Sequence, residues 1–135
     1  MLSNEYVLSI DPGRNKIGVA QVGADGGIVS AEVVSVEELA QVLTVYAQPS
    51  QLVIGNGTNS KAINKVLKQV FPQLTAYIIE ESYSTEEARS LYWQVNPPTG
   101  LRKLIPLGLQ TPPIPLDGYA AVVLARRYLA QRKDE

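Results

Sequence analysis

The chain has 135 residues and a mass of 14.7 kDa, with 45% hydrophobic and 19% charged residues, the size and balance of one globular domain spanning 1–135. It contains neither cysteine nor histidine, which excludes disulfides, thiolate nucleophiles, Cys or His metal sites and every Ser/His or Cys/His mechanism, and leaves carboxylates, Lys, Tyr and hydroxyls as reactive groups. The formal charge of −1 is unevenly spread, −4 over residues 1–60 and +3 over residues 61–135, so any attraction to a polyanion is C-terminal, although solvated helix faces are the more ordinary account of those cations.

The first apolar run, Tyr6 to Ile10, meets Asp11-Pro12-Gly13, where Pro withholds a donor and Gly permits a turn, so a strand is expected to end at Asp11. Lys16 to Val22 and Ile28 to Val34 are β-prone runs separated by Ala24-Asp25-Gly26-Gly27, a hairpin signal. Together these predict a three-stranded antiparallel meander. Ser35-Val36-Glu37-Glu38 fits a capping box for a helix reaching about Tyr46 and stopped by Pro49. Leu52-Val53-Ile54 before Gly55 is short and apolar enough for a buried parallel strand.

Asn59 or Ser60 can cap a second helix, with Ile63, Val66, Leu67 and Val70 on one face and Lys61, Lys65 and Lys68 away from it, ended by Pro72. Ala76 to Ile79 predicts another buried strand, running into Glu80-Glu81. Ser84-Thr85-Glu86-Glu87 is a second capping-box candidate. Residues 97–115 hold six prolines and predict a stiff extended loop without helix or central strand. A last helix is expected over Leu116–Gln131. The fold class that follows is α/β: a meander continued by β-α-β crossovers, hence a mixed sheet of antiparallel and parallel strands with helices packed on it. No run of about 18 apolar residues and no basic-then-apolar leader is present, so the expectation is a cytoplasmic protein without a membrane span.

Ligands of such a sheet gather beyond the carboxyl ends of its parallel strands. Loops and helix N-termini converge there: Asp11 closes the first strand, Glu80 and Glu81 close the last, and Asp117 starts the final helix. Carboxylates forced together repel, and a hard divalent cation with oxygen ligands relieves the repulsion. Two Mg²⁺ or Mn²⁺ ions about 3.5–4 Å apart can activate water and stabilise the leaving oxygen of a phosphodiester without His or Cys. Each acid also has an ordinary explanation: Asp11 as a turn residue before Pro-Gly, Asp117 as a helix N-cap, and one of the two glutamates as a solvated strand-end acid.

These same segments carry a family resemblance. Ile10-Asp11-Pro12-Gly13 with Lys16-Ile17-Gly18-Val19-Ala20 resembles the opening of the YqgF/RuvX family of ribonuclease H-like nucleases. Ile79-Glu80-Glu81-Ser82-Tyr83-Ser84-Thr85-Glu86-Glu87-Ala88-Arg89 looks like its "DER.ST.EAR" segment, and Leu116-Asp117-Gly118-Tyr119-Ala120-Ala121 is similar to its "hD..AA" helix. Trp93, Asn96-Pro97-Pro98, Gly100-Leu101 and Leu104-Ile105-Pro106 resemble a cyanobacterial-type branch of the family.

The resemblance implies a ribonuclease H-like fold and a divalent-metal-dependent endonuclease acting on structured nucleic acid, described for the family as Holliday-junction DNA or pre-16S ribosomal RNA. It implies Asp11, Glu81 and Asp117 as catalytic metal ligands; Glu80 is the second choice, since the strand-end "IEQ" pattern of more distant RuvC-type resolvases favours it. Arg14, Arg89, Arg102 and Lys103 are the candidates for phosphate contact, against surface solubility as their ordinary role. Tyr83, Tyr92 and Trp93 are candidates for base stacking, with packing under the Pro-rich loop the alternative for the latter two. Gly55-Asn56-Gly57-Thr58 can offer amides to a phosphate or form a plain turn. A homodimer suits symmetric cutting of a four-way junction. Ser82 stands where the family pattern has Arg, and Gly118 where this branch often has a second acid. These departures support an alternative: a catalytically weak or inactive nucleic-acid or ribosome-biogenesis binding protein of the same fold.

Overall fold

The structure, a computed structural model, describes residues 5–133. In chain order, β1 (Tyr6–Asp11), β2 (Lys16–Gly23) and β3 (Ile28–Ser35) form the meander, followed by α1 (Leu39–Leu43), β4 (Gln51–Gly55), α2 (Ser60–Val70), β5 (Tyr77–Ile79), α3 (Ser84–Val95) and α4 (Asp117–Lys133). The five strands lie in the order β3-β2-β1-β4-β5. Strands β1, β2 and β3 pair antiparallel, whereas β4 runs parallel to β1 and β5 parallel to β4. The mixed sheet of the sequence reading is therefore present.

Strand alternation sends successive side chains to opposite faces, and each face has its own core. Tyr6, Leu8 and Ile10 of β1 pack with Ile17, Val19, Leu52 and Ile54 against Leu39, Leu43, Ile63 and Leu67 of α1 and α2. Val7 joins Ala20, Val22, Val53 and Ile79 against Leu91 of α3 and Ala121, Val122, Leu124 and Ala125 of α4. Odd-numbered residues of β1, which end in Asp11, thus face α4.

Four local expectations need correction. The strand expected to be buried over Ala76–Ile79 is a short edge strand, Tyr77–Ile79, in which Tyr77 and Ile78 are exposed and Ile79 is buried. The helix expected over 35–46 keeps α spacing only over Leu39–Leu43. Its capping box does form, with Ser35 Oγ 3.0 Å from Glu38 Oε1 and the Glu38 amide donating to Ser35 Oγ at 3.2 Å. Both flanks, however, close by tighter i→i−3 bonds, including Leu39 to Val36 and Tyr46 to Leu43. The second capping box does not form: Ser84 is buried, the residue before α3 is Tyr83 in the left-handed region (φ 62°) with no side-chain cap, and Glu87 pairs with Arg127 instead. The Pro-rich loop is not uniformly extended, because its proline-free stretches Gly100–Leu104 and Leu107–Leu109 wind into 3-10 turns. Among the described residues, no helix is long and apolar enough to cross a membrane.

Candidate active site

The carboxyl end of β1 is where the chain's chemistry concentrates. Asp11 is directly opposite Gly18 in the β1–β2 ladder. On its other side, β1 pairs with β4 through Ile10 and Ile54, and Gly55 follows as the last residue of β4, paired with Ile79 of β5. Alternation puts Val53 and Ile79 on the α4 face, so Gly55 and, two residues beyond Ile79, Glu81 continue on that face. Glu80 is exposed, and Glu81 is half-buried. Burial and the hydrogen bond from Gly57 distinguish the two glutamates.

Glycines make the approach feasible. A Cβ at Gly18 would lie 1.8 Å from the main-chain oxygen of Asp117, so the start of α4 rests directly on β2 beside Asp11. A Cβ at Gly55 would lie 2.2 Å from Glu81 Oε2, and one at Gly57 would lie 2.6 Å from both Glu81 carboxylate oxygens. The β4–α2 turn therefore receives Glu81. Gly57 N–H donates to Glu81 Oε2 at 2.7 Å, and the Glu81 amide donates to Asn56 Oδ1 at 3.1 Å. The Gly55-Asn56-Gly57-Thr58 segment thus spends an amide on the protein's own carboxylate. A few residues on, Asn59 Nδ2 donates to the Gly13 carbonyl at 3.2 Å, joining this turn to the loop after Asp11.

The electrostatic result is clear at Asp11. Burial, followed by the negative charges of Glu81 and Asp117, pushes its carboxyl up to about 7. The charges of two acids far away in sequence thus reach Asp11. Among the described residues the one ion pair is Arg127–Glu87, so neither Lys nor Arg neutralises Asp11, Glu81 or Asp117. An all-oxygen, under-neutralised donor set of this kind fits a hard divalent cation. As the side chains stand, no three acidic groups among the described residues converge tightly enough to form a finished cation site; the Glu81 carboxylate is turned onto Gly57.

The remaining candidates are more scattered. Arg14 is exposed three residues after Asp11, in the loop beyond the carboxyl end of β1. Arg89 is exposed on α3, and Arg102 and Lys103 are exposed on the first 3-10 turn of the Pro-rich loop. The two ends of that loop are tied together: Asn96 Nδ2 donates to the hydroxyl of Tyr119, two residues after Asp117, at 3.2 Å. Tyr83 is 75% exposed, whereas Tyr92 and Trp93 are buried. Tyr92 meets Trp93 and Tyr119 edge to face at 5.0 and 5.6 Å, so these rings pack the α3–α4 seam and are not available for stacking. Gly118 packs closely on β3: a Cβ there would come within 3.0–3.2 Å of the backbone at Ala31 and Glu32, so a larger residue would need the strand to give by a few tenths of an ångström.

The packing order and topology have counterparts among solved structures. T. thermophilus RuvC in complex with a Holliday junction substrate matches with a TM-score of 0.58 at 18% identity, over 95% of this chain and 95% of that one. Another T. thermophilus RuvC structure matches with a TM-score of 0.57 at 18% identity, over 95% and 96% of the two chains. The chain has a ribonuclease H-like fold. No protein-family model and no curated protein sequence matches it. The ribonuclease H-like fold accounts for the meander, the two parallel strands and the placement of α4 across the sheet, with Asp11 at the end of its first strand and Asp117 at the start of its last helix.

Proposed function

We propose that the protein is a divalent-metal-dependent endonuclease that hydrolyses phosphodiesters in structured nucleic acid, with Asp11, Glu81 and Asp117 as the residues that hold Mg²⁺ or Mn²⁺. What supports this reading is placement: Asp11 ends β1, the start of α4 with Asp117 rests on Gly18 opposite it, and Glu81 is seated in the turn after the neighbouring strand β4. When bound, a pair of such ions would supply Lewis acidity and a lowered water pKa, the chemistry a chain without His or Cys lacks. Asp11, at the carboxyl end of the central strand β1, would hold the cation together with the other two acids. Glu81 would leave the Gly57 amide to join it, and Asp117 would contribute from the first turn of α4.

Arg14, Arg89, Arg102 and Lys103 are proposed to contact phosphates, the last two from a loop anchored next to Asp117. The substrate classes consistent with the family resemblance are Holliday-junction DNA and pre-16S ribosomal RNA, and the RuvC match in complex with a junction substrate supports the first. Symmetric cutting of a junction would require a two-fold dimer. The test is incubation of the purified protein with a labelled four-way junction and with a precursor 16S RNA fragment in Mg²⁺ or Mn²⁺. Cleavage of either, lost in Asp11→Asn, is the expected result. Tight binding without cleavage in both metals would instead favour a non-catalytic binding protein, the reading supported by the Glu81 carboxylate being held on the Gly57 amide.

A further inference from the structure

Glu81 lies in the short stretch between β5 and α3, a connection that would ordinarily leave a strand-end acid loosely placed. Here both peptide carbonyls beside it are held. Arg127 of α4 donates through Nη1 to the Glu80 carbonyl and through Nη2 to the Ser82 carbonyl, each at 2.6 Å, and Nη2 also meets Glu87 Oε2 at 2.5 Å. Three acceptors therefore converge on one planar fork, two on the main chain either side of Glu81 and one on the first turns of α3. The Ser84 amide closes the arrangement by donating to the Glu81 carbonyl at 2.9 Å.

We infer that Arg127 is a positioning residue that fixes the backbone of Glu81 relative to α4, and so relative to Asp117 on the same helix. The inference rests on the reading of Glu81 as a metal ligand and adds to it the part that sets its distance from Asp117. A rigid planar guanidinium can bridge two carbonyls and a carboxylate at once; an ammonium, a point donor on a flexible stem, cannot reproduce that geometry. Glu87 supplies charge to the fork and is not needed to hold the two carbonyls. Residues outside the ligand shell that orient a ligand typically change metal affinity about 10–100-fold when removed.

The experiment is calorimetric titration of the full chain with Mn²⁺ alone, without nucleic acid, for the native protein, Arg127→Gln, Arg127→Lys, Glu81→Gln, Glu87→Gln and the double variant Glu81→Gln/Arg127→Gln. Circular dichroism verifies that each is folded. Arg127→Gln is expected to weaken Mn²⁺ binding by about tenfold or more, Arg127→Lys to weaken it less, and Glu87→Gln to leave it within about twofold. In the Glu81→Gln background, Arg127→Gln should add no further loss, because the group it positions is gone. If Arg127→Gln does not fold, Arg127→Lys carries the same comparison. Native affinity in the Arg127 variants alongside weakened binding in Glu81→Gln overturns the positioning role. So does an Arg127 effect that persists undiminished without the Glu81 carboxylate. Native affinity in Glu81→Gln overturns the ligand assignment itself and the positioning role with it.

Discussion

Gly18 and Asp117 meet where the last helix crosses the second strand: a methyl group at residue 18 would sit 1.8 Å from the Asp117 carbonyl oxygen. The obstacle is backbone, at the first residue of a helix whose N-terminal half is buried, so it cannot be relieved by a rotamer change. Gly18→Ala is therefore expected to displace the start of α4 and to destabilise the protein by roughly 2–4 kcal/mol, the range of strongly overpacked or strained sites. A urea melt monitored by Trp93 fluorescence checks it.

Gly55→Ala makes a contrasting case. The colliding group is the Glu81 side chain, with Oε2 at 2.2 Å and its Cδ and Cγ at 2.7 Å, and a side chain can move aside. The stability loss should be smaller than for Gly18→Ala, about 1 kcal/mol or less, whereas Glu81 is driven off the Gly57 amide. Divalent-cation affinity measured by titration should change more than the melting temperature does.

The pattern of these glycines explains how much was legible beforehand. The apolar run Tyr6–Ile10 before Pro12-Gly13, the short apolar run Leu52–Ile54 and the break at Pro49 are local signals, and they suffice for the order of elements along the chain and for placing Asp11 at a strand end, whereas the strand order in the sheet is a tertiary outcome. The preference for Glu81 over Glu80 rests on resemblance; the structure adds that Glu81 is half-buried and held on the Gly57 amide whereas Glu80 is exposed. Nothing local revealed that Gly57 donates to Glu81 across 24 residues, that Asn56 accepts its amide, or that Arg127 reaches the same loop from α4. Those partners are determined by tertiary register. The second capping box failed for a related reason: Glu87 has a stronger tertiary partner in Arg127 than a local amide offers.

Asp11 gives the protein a pH signature. Its carboxyl titrates near 3.8 when unperturbed and at about 7 in the folded state, chiefly through burial and then through Glu81 and Asp117. A raised acid favours folding most below its unfolded value, and that contribution is lost as pH rises from about 4 to about 7. Asp11→Asn should be flat over that window and more stable than the native protein at pH 8. The difference is on the order of 2–4 kcal/mol, discounted for the partial exposure of the site. Denaturant melts of both proteins at pH 4, 6 and 8 without divalent cations measure it.

Arg102 and Lys103 stand on the exposed turn of a loop that has no acidic residue between Glu87 and Asp117. If they meet phosphates, Arg102→Ala/Lys103→Ala should weaken binding to junction DNA and precursor RNA alike. It should also lower the slope of log K against log salt by about 2, with the fold and cation affinity unchanged. Filter binding across a series of salt concentrations tests this, and an unaltered slope would remove both residues from the interface.

A divalent cation held by the three acids, as proposed, should also stabilise the fold. The acids at the end of β1 repel one another and have no Lys or Arg partner among the described residues, so a cation binding there acts on the folded state and hardly on the unfolded chain. At a free Mn²⁺ concentration of about 100 times the dissociation constant, the linked gain is about 2.7 kcal/mol. It should grow above pH 7, where Asp11 no longer has to surrender a proton to bind. Asp11→Asn, already relieved of the repulsion, should begin more stable and gain little from added metal. Thermal melts with and without Mn²⁺ at pH 6 and 8 would show this crossing of the two proteins; equal metal-induced shifts in both would place the cation elsewhere than at Asp11.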